Sequence, residues 1–173
     1  MDLDAARRLA RSVMDAHGLS EWDFSFDRAR RRAGACHHQR KKITLSRVLT
    51  LLYEPATVRE VVLHEVAHAL VGAHHGHDQV WRDVARRIGA PPKASLPAYL
   101  PAPEPSWVGT CPRCGMQKFL YRSPQRVASC GACSPGSFSS DVILEWTFRG
   151  LPRQPGRTYL NEMRRLRRWG LIR

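Results

Sequence analysis

Apolar residues recur at helical spacing from the start of the chain: Leu3, Ala6, Ala10, Val13 and Met14 share one stripe until Gly18. This pattern predicts an amphipathic first helix with Arg7, Arg8 and Arg11 mostly on its wet side. The period then shortens to two. Trp22, Phe24 and Phe26 alternate as a half-buried strand, and 33–38 and 41–45 read as two further strands joined by a basic turn. A short helix over 46–53 ends before Pro55. Thr57 and Glu60 form a T-x-x-E capping box, after which Val58, Val61, Val62, Val66, Ala69 and Leu70 give a broad apolar surface that stops at Gly72. Val80, Trp81, Val84 and Ile88 mark the next helix, with Asp78 as its N-cap and Gly89 as its stop. Two strands, 116–121 and 142–148, follow late in the chain.

Between these halves the pattern disappears. Residues 91–106 hold Pro91, Pro92, Pro97, Pro101, Pro103 and Pro105, a stiff connector that sustains neither helix nor central strand. The expected organisation is therefore a first domain over 1–90, a linker over 91–106, a small module over 107–148 and a basic C-terminal tail over 149–173. A module of about forty residues needs help to fold.

The helix after Thr57 carries His64-Glu65-Val66-Ala67-His68. Two imidazoles at i and i+4 share a helix face and can bind one Zn²⁺, while Glu65, about 100° round, reaches a zinc-activated water more easily than the metal. Burying the same three side chains without a metal would cost several kcal/mol of desolvation. A third ligand should follow downstream, where Ala73-His74-His75-Gly76-His77-Asp78 offers three histidines. His77 abuts a rigid helix start and is the expected ligand. His75 is the alternative, and His74 reads as a solvated loop residue.

Cys111-Pro112-Arg113-Cys114 and Cys130-Gly131-Ala132-Cys133 form two C-x2-C knuckles. Four thiolates at this spacing close a tetrahedral structural zinc site, and that metal supplies the small module with its missing stability. Disulfides are the weaker reading, since no secretory signal precedes the chain and a reducing, cytoplasmic setting is expected. Cys36, the fifth cysteine, reads as a small buried residue.

The run from Ile43-Thr44-Leu45-Ser46 through the HExxH motif to His77-Asp78-Gln79-Val80-Trp81 resembles the SprT-like zinc metalloproteases, the family that includes Spartan. Members show a strand ending in leucine and serine, then HExxH, then a third histidine in an H-G-x-x-F/W pattern. Aligning on Trp81 makes His77 the ligand. Asp78 stands where glycine is usual, and His75-Gly76 keeps the upstream register open. The family often carries a zinc ribbon after the protease domain, so the resemblance covers roughly 5–148. It implies an α+β fold: a small zincin-type metalloprotease domain of helices and a short antiparallel sheet, followed by a zinc ribbon.

Charge adds a partner. A net charge of +13 and a pI near 10.6 favour a polyanion. One cluster holds Arg28, Arg30, Arg31, Arg32, Arg40, Lys41 and Lys42; the other holds Arg149, Arg153, Arg157, Arg164, Arg165, Arg167, Arg168 and Arg173. Arginine forks suit phosphate, and Trp107, Tyr121, Trp146, Tyr159 and Trp169 are candidate stacking faces for unpaired bases. The stretch 158–171 also reads as a basic amphipathic helix, but no run approaches eighteen apolar residues and nothing is expected to span a membrane. The expectation is a cytoplasmic or nucleoid-associated endopeptidase with two Zn²⁺ per chain, acting on protein substrates bound or crosslinked to DNA. The alternatives are a non-enzymatic zinc-ribbon protein that binds nucleic acid, and a zinc hydrolase with another substrate.

Overall fold

The computed structural model describes residues 1–172; Arg173, counted above among the C-terminal arginines, lies outside the described residues. The chain divides into two compact units, Met1–Pro103 and Glu104–Arg173.

In the first unit, α1 (Leu3–Ala16) is capped by the Asp2 carboxylate, which accepts from the Ala5 N–H. A three-stranded sheet follows: β1 (Asp23–Asp27), β2 (Gly34–His37) and β3 (Lys42–Ser46), in the order β1-β3-β2. The short antiparallel sheet expected here is mixed. β2 pairs antiparallel with β3, whereas β1 pairs parallel with it, Asp23 opposite Lys42. Two successive chain reversals restore the direction of β1, and β3 then inserts between its predecessors, leaving β2 on an edge.

Ser46 ends β3 and caps α2 (Arg47–Leu52), its hydroxyl accepting from the Leu49 N–H. α3 (Pro55–Val71) begins earlier than the Thr57–Glu60 box suggests, with Glu54 as N-cap. Pro55 occupies the first turn, where its missing N–H needs no partner, and it holds Glu54 extended. α4 (Gln79–Arg87) starts at the expected cap, the Asp78 carboxylate accepting from the Trp81 N–H. Ala6, Ala10 and Met14 of α1, Ile43 and Leu45 of β3, Val58, Val62 and Val66 of α3 and Trp81 of α4 form the core. The proline-rich stretch contains neither helix nor strand up to Ser106, but Leu96 and Leu100 pack against that core.

The second unit is a four-stranded antiparallel sheet in the order β5-β4-β6-β7, built from β4 (Trp107–Thr110), β5 (Gln117–Leu120), β6 (Glu145–Phe148) and β7 (Leu151–Pro152). α5 (Arg157–Arg168) places Tyr159, Leu160, Met163 and Leu166 against Trp107, Val142, Leu144 and Trp146. The C-terminal stretch is thus part of this unit's core. No helix among the described residues is long and apolar enough to cross a membrane.

Candidate metal centres

α3 presents His64 and His68 one turn apart, and the loop ahead of α4 returns His77 to them. His77 Nε2 lies 3.1 Å from His68 Nε2 and 3.0 Å from His64 Nε2. One N–H cannot satisfy both contacts at once; lone pairs converging on a cation can. Tetrahedral zinc with bonds of about 2.0–2.1 Å to nitrogen sets its ligands about 3.3 Å apart, so the three imidazoles fit that ion. Trp81 floors the trio, stacked on His68 with ring centroids 5.3 Å apart and edge-on to His64 and His77. Burial first, and neighbouring histidines second, push His64 and His68 down to about 4, which keeps them in the neutral form that binds metal. His75 turns away, its Nδ1 2.8 Å from the Asp78 carboxylate, and His74 is exposed.

Glu65 is the buried acid of this site, 6% exposed. Its carboxyl lies against β2: a Cβ built on Gly34 would sit 2.7 Å from Glu65 Oε1 and 3.0 Å from Val61 Cγ1. The glycine is what lets strand and helix approach so closely. Burial pushes the Glu65 carboxyl up to about 8, opposed by the Arg32 charge and by the Cys36 N–H that donates to it. Arg32 itself is tied to the Asp27 carboxylate at 2.7 Å and to the Gly34 carbonyl at 3.2 Å. A cleft of about 580 Å³ opens beside Glu65, with Arg31, Tyr53, Glu60, Lys93 and Tyr99 among its walls. Cys36 is half-buried on β2 rather than a core residue, because β2 is an edge strand.

In the second unit, Cys111, Cys114, Cys130 and Cys133 converge, none of them in a disulfide. The Cys111 and Cys133 sulfurs are 3.9 Å apart, and those of Cys114 and Cys130 are 3.6 Å apart. Zinc bonds of about 2.3 Å to four sulfurs give edges of about 3.8 Å. The first knuckle is closed by the Gly115 N–H on the Cys111 carbonyl, with Gly115 at φ +73°, and the second by the Ser134 N–H on the Cys130 carbonyl. Backbone N–H groups of Cys114 and Arg113 hold the Cys111 thiol down to about 7, favouring thiolate.

The basic positions divide. Arg31, Arg40 and Lys41 are exposed, Arg30 and Lys42 are half-buried, and Arg32 is committed to Asp27. Arg164, Arg165, Arg167 and Arg168 are exposed on α5. Of the aromatic candidates, Trp107, Trp146 and Tyr159 are buried in the second core and cannot stack on a ligand. Trp169 is 60% exposed, with the Arg165 guanidinium 5.1 Å from its ring centroid.

The sequence model of the SprT-like family matches residues 4–100. No curated protein and no solved structure matches the chain.

Proposed function

The chain belongs to the SprT-like family, and from that premise we propose that its first unit is a zinc-dependent endopeptidase. The observation that carries this reading is a buried glutamate beside three converging imidazoles. A purely structural metal site has no use for such a group. His64, His68 and His77 would hold Zn²⁺, which when bound acidifies a water and polarises a carbonyl. Glu65 takes the proton of the attacking water on its carboxylate as the water adds to the scissile carbonyl. It then delivers that proton to the leaving nitrogen as the C–N bond breaks. The cleft beside it has room for the extended chain of a protein substrate. Cys111, Cys114, Cys130 and Cys133 would hold a second, structural Zn²⁺.

The substrates we infer are proteins bound or crosslinked to DNA. The +13 charge and the exposed arginines of α5 beside Trp169 support nucleic acid as the recruiting partner. With about six phosphates contacted, log affinity should fall against log salt with a slope of roughly −4 to −5. Substituting Arg164, Arg165 and Arg168 by Gln should weaken DNA binding and DNA-stimulated cleavage of a DNA-bound protein together. Cleavage that ignores DNA would leave a peptidase whose charge serves another purpose. DNA binding without cleavage by wild type would favour a non-enzymatic zinc-ribbon protein.

A further inference from the structure

Three buried apolar side chains, Leu49, Tyr53 and Val61, line the cleft that also holds His64 and Glu65. Val61 stands one turn before Glu65 on α3, and both close on the same point of β2: a Cβ built on Gly34 would lie 3.0 Å from Val61 Cγ1 and 2.7 Å from Glu65 Oε1. The space next to the reacting carboxyl therefore has an apolar wall. α2 supplies the other two residues. The Tyr53 N–H donates to the Leu49 carbonyl at 3.0 Å and closes the last turn of that helix, which sets the two side chains one above the other in the same lining. Ala33, just before β2, and Leu96 of the proline-rich stretch add further apolar surface, and both pack against the core of the first unit.

The charged residues of the cleft sort differently. Arg31, Glu60 and Lys93 also line it, but they are exposed and carry both signs, so they select no one charge on a substrate. Arg32 is spent on the Asp27 carboxylate. Such a cleft gains by taking an apolar group out of water against its buried lining. Glu65 must reach first the attacking water and then the leaving nitrogen. That nitrogen belongs to the residue after the scissile bond, so this residue passes beside Glu65 and its side chain meets the adjoining Val61 wall. We propose that the cleft is the subsite for the residue after the scissile bond, that it selects a large apolar side chain such as leucine or phenylalanine, and that Leu49, Tyr53 and Val61 are its specificity-determining residues. This assignment rests on the peptidase reading.

The test digests an unstructured protein with the zinc-loaded full chain and identifies the new N-termini by mass spectrometry. It then measures kcat/KM on peptides that differ only in the residue after the cut. New N-termini should begin with large apolar residues, and leucine at that position should exceed alanine by about 10–100-fold. Ala33→Leu, which fills the lining, should cut this ratio at least about tenfold, whereas Leu96→Ala, which widens it, should move the preference from leucine toward phenylalanine. Zinc content and melting temperature are read on the same samples, and Leu96→Ala carries the comparison if Ala33→Leu does not fold. A merely structural role would slow all peptides alike and leave the ratios unmoved, which would overturn the assignment. Charged residues at the new N-termini, or apolar selection only before the cut, would overturn it as well. If wild type cleaves, Glu65→Gln does not, and the profile is flat, the subsite alone falls. If zinc-loaded wild type cleaves nothing, the peptidase reading falls and takes the subsite with it.

Discussion

Gly34→Ala adds one methyl group at the contact that sets Glu65. The new Cβ would lie 2.7 Å from Glu65 Oε1, 2.8 Å from its Cγ and 3.0 Å from Val61 Cγ1. Favourable contact begins near 3.5 Å, so strand or carboxyl must yield by about 0.8 Å. α3 cannot readily retreat, because Val58, Val62 and Val66 on its adjoining face are at most 1% exposed and anchor it in a filled core. Val61 also blocks a sideways escape of the carboxyl. Overpacking of this kind costs about 1–3 kcal/mol, and misplacing a catalytic group by about 1 Å can cost 10²-fold in rate. Gly34→Ala should therefore lower the melting temperature by several degrees and kcat by about 10–100-fold, while zinc content stays at the wild-type value because no histidine is touched. Ala35→Ser, one residue on and on the opposite strand face, is the control. Differential scanning fluorimetry, metal analysis and peptide hydrolysis read the three quantities. Wild-type stability and rate in Gly34→Ala would refute the close packing of β2 on Glu65. Loss of zinc would show that the damage runs through the metal ligands instead.

The cysteine centre should hold one of two zinc ions per chain, so metal analysis of Cys130→Ser should find about one fewer zinc; an unchanged count would remove the ribbon metal. His77→Ala should lose catalytic-site zinc and activity, whereas His75→Ala and His74→Ala keep most of both; an inactive His75→Ala beside an active His77→Ala would establish the upstream register. In metal-free protein, Glu65 is held at about 8 against 4.5 when unfolded, so the folded state binds the extra proton between these values and loses stability as pH rises through the window. Glu65→Gln lacks this loss: its stability advantage over wild type should grow from pH 4.5 to 8, by at most about 5 kcal/mol, and shrink when zinc is added. A pH-independent difference in urea melts would contradict the burial of that carboxyl.

What could be read from the sequence was local chemistry. His64, Glu65 and His68 share a turn of one helix, Asp78 caps the next, and each C-x2-C knuckle closes through hydrogen bonds within five residues, so spacing alone carries them. The capping box at Thr57 misled, because Pro55 starts α3 a turn earlier and overrides a side-chain cap. The parallel pairing of β1 with β3 left no trace, since strand order depends on which edge a later strand occupies. The same is true of Gly34 and Cys36 against Glu65, contacts across about thirty residues of chain that a periodicity cannot signal. The arginine-rich C-terminus read as a tail because its charges outnumber Tyr159, Leu160, Met163 and Leu166, yet those four apolar residues bind it to the ribbon core. Truncating there would unfold the unit, which is why point substitutions on α5 are the proper test of its arginines.

Glu65 is proposed to move the proton in peptide hydrolysis at the three-histidine site. The most direct test of this role sets zinc-loaded wild type beside Glu65→Gln on an unstructured protein, with new N-termini identified by mass spectrometry and zinc measured on the same samples. Wild type should cleave peptide bonds, and Glu65→Gln should lose at least about 10²-fold in rate with both zinc ions retained. Equal cleavage by the two proteins, or none by a fully zinc-loaded wild type, would contradict it.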